Sequence, residues 1–290
     1  MDDQAGLLRL AAGPWQALVA PDFGMNTVSL RFAGQPVLRE PGSLAQLARE
    51  GCVYGIPLLL PPNRTADGRF CFEGVRYTLP INEPACGNHL HGLLHAQPFA
   101  VRRHSQTAVC AEYNNTGAVF PFAFCLRAEY RLSAKGYRQR FTLRNTGRRD
   151  MPLTFGLHTA FAQQPAFRVP VGQCWAVNER FLPTGRLLPL TPAQRQYRRG
   201  AATQGQPVRG FFTSAGRTAQ IGDTLYRVSA AFDQWVLWNG DGAGGFCCIE
   251  PLQGAVNALN TGVGLLRLAP GCEQVYETRI FRAGPYSVRQ

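Results

Sequence analysis

Residues 61–95 read PPNRTADGRFCFEGVRYTLPINEPACGNHLHGLLH. Two short runs, Phe70-Cys71-Phe72 and Val75-Arg76-Tyr77-Thr78-Leu79, flank Glu73-Gly74. A Glu-Gly pair permits a tight turn, because glycine accepts a positive φ that other residues resist. The spacing predicts a hairpin. Before it stands Asn63-Arg64, straight after two prolines; after it, a loop over 82–88 with Pro84 and Gly87 leads to His89, Leu90 and His91. Three of the five histidines therefore lie in one stretch, beside an asparagine–arginine pair. A rigid β scaffold with polar, reactive groups in its flanking loops is how a functional site is commonly presented.

The same punctuation recurs outward from the hairpin. Trp15–Val19 and Val28–Phe32 alternate with period two, and Gly34 and Pro36 then break the run. Leu44–Arg49 has room for one or two helical turns and no more. Phe122–Leu132 and Tyr137–Leu143 read as an antiparallel pair around Ala134-Lys135-Gly136, and Met151–Phe155 as a further short strand. Residues 162–210 are rich in Pro, Gly, Gln and Arg, and read as long loops with brief strands near Trp175 and Leu187. Strands return over 219–238, 244–250, Gly264–Leu268 and Val275–Phe281. Phe246-Cys247-Cys248-Ile249 suits a strand buried on both faces; Glu250 is expected to end it, because Pro251 has no N–H for a ladder. Many short strands joined by turns, with no heptads and no internal repeat, predict an all-β chain. The expected architecture is one large antiparallel β-sandwich with little helix, a single domain over 1–290.

Composition narrows the function. The hydrophobic fraction of 45% is ordinary for a globular protein. No apolar run reaches the roughly 18 residues of a membrane span, so no membrane partner is expected. Met1-Asp2-Asp3 is acidic where a signal peptide is basic, and the expected location is cytoplasmic. The net charge of +12 invites a nucleic-acid reading. The arginines are scattered, however, and the densest cluster, Arg195, Arg198 and Arg199, lacks interleaved aromatics for base stacking. No nucleic-acid partner is expected. The nine cysteines include no C-x-x-C pair. Cys71, Cys110, Cys125, Cys174, Cys247 and Cys248 sit in apolar runs and read as buried free thiols. No spacing suits a zinc site and no Gly-rich loop opens a helix, so neither a metal nor a nucleotide cofactor is expected.

Four polar groups sit at strand ends or in adjacent loops: Arg64, His91, His158 and Glu250. Histidine is the natural acid–base near neutral pH. Glu250 emerges from an apolar strand, where burial raises a carboxyl pKa into the useful range. Each residue alone also has a structural reading. His91 can brace a turn before Gly92, His158 can be a hydrogen-bonded core histidine, Glu250 a solvated strand end, and Arg64 half of a salt bridge. Taken together, two histidines and a carboxylate at one rim suit proton transfer. His89, His95 and His104 read as surface or loop residues.

The order of the motifs adds a resemblance. Pro21-Asp22-Phe23-Gly24 precedes Val28-Ser29-Leu30; Pro62-Asn63-Arg64 precedes Asp67-Gly68-Arg69-Phe70; then come Asn88-His89-Leu90-His91-Gly92 and Asn145 with Pro152 and Gly156-Leu157-His158. Leu182-Pro183-Thr184-Gly185, Ile249-Glu250-Pro251 with Asn257-Ala258 and Asn260, and Leu268-Ala269-Pro270-Gly271 complete the series. In this order the chain resembles the galactose mutarotase (aldose 1-epimerase) family, in its short branch. The resemblance implies a galactose mutarotase-like supersandwich, no metal and no organic cofactor, and a small-molecule hexose as partner. It implies Glu250 as base and His158 as acid in interconverting the α and β anomers, with His91 on the ring oxygen. Asn63 and Arg64 would orient hydroxyls.

Two departures leave alternatives. The family often has proline after its second histidine, where this chain has Thr159. Many members carry a sugar-binding acid just before a phenylalanine, and the matching region here reads Val208-Arg209-Gly210-Phe211-Phe212. One alternative is a hexose 6-phosphate substrate held by Arg195, Arg198, Arg199 and Arg209. The other is a non-catalytic carbohydrate-binding or sensor protein, with Trp175, Phe161 and Trp235 as aromatic walls. The sequence names neither the sugar nor the oligomeric state.

Overall fold

The strand Phe124–Ser133 buries every second residue, from Phe124 through Leu126, Ala128 and Tyr130 to Leu132. Its neighbour Gly136–Asn145 does the same from Tyr137 onward. The two pair antiparallel along their whole length, closing on Ser133 opposite Gly136. Period-two burial puts one face on the core and the other in water. The computed structural model describes residues 6–283, and there these strands lie within a nine-stranded antiparallel sheet. An eight-stranded antiparallel sheet faces it. Rings from the two sheets meet between them: Phe155 stacks on Tyr276 with centroids 4.6 Å apart, and Phe161 meets Tyr226 edge-on at 5.4 Å. The N-terminal strands Leu8–Ala12, Trp15–Ala20 and Asn26–Phe32 form a smaller sheet whose Leu10, Trp15 and Leu30 join the same apolar core. The result is the large antiparallel sandwich that the strand pattern predicts.

The eight-stranded sheet is the less regular one, and several expectations change within it. Met151–Phe155 is not a single strand. Met151–Leu153 pairs with Leu266–Leu268, while Phe155–Leu157 crosses into the eight-stranded sheet beside Phe246–Gln253. Glu250 does not end its strand, which runs through Pro251 to Gln253. The Ile249 N–H bonds Thr159 O, so by alternation the Pro251 nitrogen faces the same side. There it meets the interval between the strands Phe155–Leu157 and Ala160–Ala162, where the ladder is already interrupted, and the missing donor leaves no ladder bond unmade.

Residues 162–210 hold a helix that was expected to be loop, Pro192–Arg199. Thr191 Oγ1 accepts the Gln194 N–H, and the Gln194 side chain accepts the Thr191 N–H in return. With proline in the first turn, this is a complete capping box. All nine cysteines are free, but only Cys247 and Cys248 are buried, and Cys71 and Cys272 are exposed. Cys71 lies on the outward side of a strand whose phenylalanines face in. Among the described residues no helix is long and apolar enough to cross a membrane.

Candidate functional site

Strand register builds the centre of the site. Phe246–Gln253 is buried along its whole length. On one side Val236 lies opposite Glu250, and Phe211 opposite Val236 in the next strand. On the other side Ala160 lies opposite Cys248 and Gly156 opposite Leu252, which sets His158 across from Glu250. Opposed residues project from the same face of a sheet. His158 Nε2 accordingly lies 3.3 Å from Glu250 Oε1, with both side chains almost wholly buried.

Left-handed backbone brings the remaining groups over this pair. Asn63 and His91 have φ of 53° and 63°, and the His91 N–H donates to Asn63 O at 2.8 Å. Gly92 follows with φ of +68°, and a Cβ there would stand 2.0 Å from Leu60 O. Only glycine fits that approach. The His91 ring then meets His158 edge-on, with centroids 5.0 Å apart.

Arg64 is fixed by a carboxylate that sequence reasoning did not single out. Its Nε and Nη2 donate to Glu83, the shortest contact being 2.6 Å. Asn88 Nδ2 donates to the same carboxylate at 2.8 Å, and Arg180 ties Asn88 Oδ1 to Asp67. Glu83 is thereby held below the usual carboxylate range, the bonds from Arg64 and Asn88 outweighing its partial burial. Asn257, also left-handed, accepts the Ala66 N–H and links the loop after the glutamate strand to the arginine strand.

Together these groups line a cleft of about 830 Å³, a size that suits a small organic ligand. Asn63, Arg64, His91, His158 and Glu250 all open onto it. Trp175, Phe181, Phe211 and Trp238 supply aromatic surface, and Arg49 and Arg209 stand at the exposed edge. Phe161 and Trp235, expected as walls, are fully buried in the core instead. Arg195 and Arg198 donate to the carbonyls of Leu190 and Val171 and do not line the cleft. Thr159, where the family often has proline, joins its hydroxyl to Tyr226 of the opposite sheet at 2.9 Å.

Two of the histidines read as surface residues are placed otherwise. His89 is fully buried and its Nδ1 donates to Pro80 O at 2.7 Å, a structural role. His95 lines the cleft, half-buried, and follows the apolar pair Leu93-Leu94. His104 is exposed, as expected.

Burial sets the electrostatics. It pushes the Glu250 carboxyl up to about 8, with the Arg64 charge pulling the other way. It lowers His158 to about 4 and holds His91 well below the ordinary imidazole value, with His158 adding to the effect on His91. His95 is likewise lowered to about 4 by burial. Glu250 Oε2, His158 Nδ1, His91 Nδ1 and His95 Nδ1 are buried without a protein partner. Buried polar atoms are nearly always hydrogen-bonded, so four such atoms in one cleft mark a place prepared for a polar ligand. Among the described residues no group of three or more His, Cys, Asp or Glu side chains is arranged to hold a metal ion.

Comparison with known proteins gives the family and the fold. The family model for aldose 1-epimerase matches residues 16–280. The chain is 27% identical over 259 residues to the uncharacterized protein YihR of Escherichia coli strain K12, covering 79% of this chain and 83% of that one. A galactose mutarotase-like protein from Clostridium acetobutylicum superposes with a TM-score of 0.88 at 26% identity, covering 94% of each chain. An aldose epimerase homologue from Caenorhabditis elegans shares the fold, with a TM-score of 0.80 at 16% identity over 96% of this chain and 99% of that one.

Proposed function

We propose, from the premise that this chain belongs to the aldose 1-epimerase family, that it interconverts the α and β anomers of a free hexose. The observation that carries the reading is the buried His158–Glu250 pair, 3.3 Å apart, at the base of the cleft.

Ring opening of a cyclic hexose needs a base on the C1 hydroxyl and an acid on the ring oxygen at once. Burial raises Glu250 to about 8 and lowers His158 to about 4, so between those limits the pair carries one proton. At rest the proton sits on Glu250, leaving a neutral carboxyl and a neutral imidazole; its transfer to His158 gives the carboxylate and imidazolium that supply both partners the reaction needs. Glu250 removes the proton from the C1 hydroxyl, the C1–O5 bond breaks, and His158 delivers its proton to O5. The product is the open aldehyde, with Glu250 now a neutral carboxyl and His158 a neutral imidazole. Rotation about C1–C2 and the reverse transfers close the ring on the other face, and no proton is exchanged with solvent.

The low-dielectric surroundings favour the discharged pair, which is the form that accompanies the open chain. His91, held neutral, would hydrogen-bond the ring oxygen, while Asn63 and Arg64 would orient hydroxyls. The aromatic side chains offer an apolar face to the sugar ring.

Glu250→Gln removes the base while keeping size and hydrogen-bonding capacity. It is expected to lower mutarotation by roughly 10²–10⁴-fold, measured by polarimetry from freshly dissolved α-glucose or α-galactose, while sugar binding by calorimetry persists. Full activity in the variant contradicts the assignment. Binding by the wild type with no turnover of any hexose points instead to a sugar-binding protein of this fold.

A further inference from the structure

We propose that the preferred hexose carries an oxyanion at the end remote from C1, received by the guanidinium groups of Arg209 and Arg49. This rests on the mutarotase reading and specifies its substrate class. The first observation is how the cations of the cleft are used. Arg64 has Nε and Nη2 bound to Glu83, so its charge is already paired. Arg49 and Arg209 also line the cleft, both exposed, and neither guanidinium makes a hydrogen bond or ion pair to any described residue.

The acids there do not balance them. Glu50 offsets one of the two charges, and the buried Glu250 and His158 together hold one proton with no net charge. No aspartate lines the cleft. Its floor is therefore neutral, and its mouth has an excess of fixed positive charge, presented on planar forks suited to phosphate or carboxylate.

The second observation is position. Arg209 lies opposite Trp238, and Trp238 opposite Cys248, one row along the sheet from the row of Phe211, Val236, Glu250 and His158. Rows two residues apart share a face. Two interstrand steps and two residues of rise set the Arg209 Cα about 12 Å from that of Glu250. Both side chains line the cleft, so this spacing sets how far apart the two ends of a bound hexose can be held. A sugar with its C1 hydroxyl at Glu250 can point its far end at Arg209. Phe211 and Trp238, between them in the same rows, face the ring.

The test measures anomer exchange by NMR exchange spectroscopy for glucose, glucose 6-phosphate and glucuronate, at low and high ionic strength. The wild type is compared with Arg209→Gln and with the double variant Arg49→Gln, Arg209→Gln. The proposal expects kcat/KM for at least one of the two anionic sugars to exceed that for glucose tenfold or more. That ratio should fall with added salt and collapse in the double variant, mainly through KM. A phosphate-only preference identifies the anion as tetrahedral, and a glucuronate preference identifies it as a carboxylate. Equal kcat/KM for all three sugars in the wild type, or a preference that survives the double substitution, overturns the subsite while leaving the mutarotase reading intact. No exchange with any of the three sugars removes that reading itself. A separate binding measurement on Glu250→Gln, titrated with glucose 6-phosphate and with glucuronate, then reads the subsite without turnover; tenfold weaker binding of the preferred anion after adding Arg209→Gln supports it, and unchanged binding of both overturns it.

Discussion

The nine-stranded and eight-stranded sheets both bury polar side chains, and those at the cleft of the second are treated differently. On the inner face of the first, Tyr137 and Thr27 share a hydrogen bond at 2.7 Å, and Gln139 bridges Thr27 to Thr278. Tyr130 donates to Met25 O at 2.8 Å. On the second, His158 and Glu250 hold each other loosely at 3.3 Å. They and His91 each keep a buried polar atom with no protein partner. The first arrangement stabilises the sandwich. The second leaves hydrogen-bonding capacity for something that arrives, at the expense of stability.

The sharpest way to break this contrast is through the Glu250–His158 pair. Besides Glu250→Gln, His158→Asn should lower mutarotation by roughly 10²–10⁴-fold by removing the acid; polarimetry at pH 7 checks it. A loss smaller than tenfold in His158→Asn would place the acid elsewhere. The pair's single proton also fixes a pH profile. Below about 4, His158 takes a second proton and leaves no base; above about 8, Glu250 loses the last proton and leaves no acid. The profile of kcat/KM against pH should be bell-shaped, with limbs near those values.

The next effect concerns stability. The folded pKa of Glu250 is raised from 4.5 to about 8. Its contribution is therefore fully present below about 4.5 and is lost as pH rises to about 8. His158, lowered from 6.5 to about 4, has the opposite sign, and its contribution is lost as pH falls from 6.5 to 4. The two slopes oppose each other between 4.5 and 6.5, so the Glu250 slope stands alone above that. Glu250→Gln should therefore be more stable than the wild type at pH 9, by up to about 5 kcal/mol, with little difference at pH 4.5. Urea denaturation at both pH values measures it. The gain accompanies the loss of activity, as expected where function sits on an unsatisfied site.

The smallest effects belong to the other sheet. Tyr137→Phe removes one satisfied hydrogen bond and should cost about 1 kcal/mol in urea denaturation, with mutarotation unchanged. A large activity loss there would break the division between the sheets.

What was legible in the sequence follows the same division. Regular alternation made strands such as Phe124–Ser133 readable, because one face meets the core and the other water. The coming together of His91, His158 and Glu250 was anticipated from motif order. The hold of Glu83 on Arg64 was not, since a glutamate beside Pro84 in a loop looks solvated until the fold brings Arg64 and Asn88 to it. His95 left a faint signal, its apolar neighbours Leu93-Leu94. The helix Pro192–Arg199 left a stronger one in Thr191-Pro192-Ala193-Gln194, a capping box masked by the loop-like composition around it. Pro251 misled because its tolerance depends on a break in the neighbouring ladder, which no local pattern displays.

The central claim is that Glu250, buried opposite His158, keeps a proton near neutrality that ordinary carboxyls have lost. Carbon-13 NMR of protein labelled at the glutamate carboxyl, with Glu250 assigned by difference from Glu250→Gln, tests it directly. The account predicts a Glu250 resonance in the protonated position at pH 6 that titrates with a midpoint near 8. A Glu250 signal already in the carboxylate position at pH 6, titrating near the ordinary value of 4.5, would contradict it.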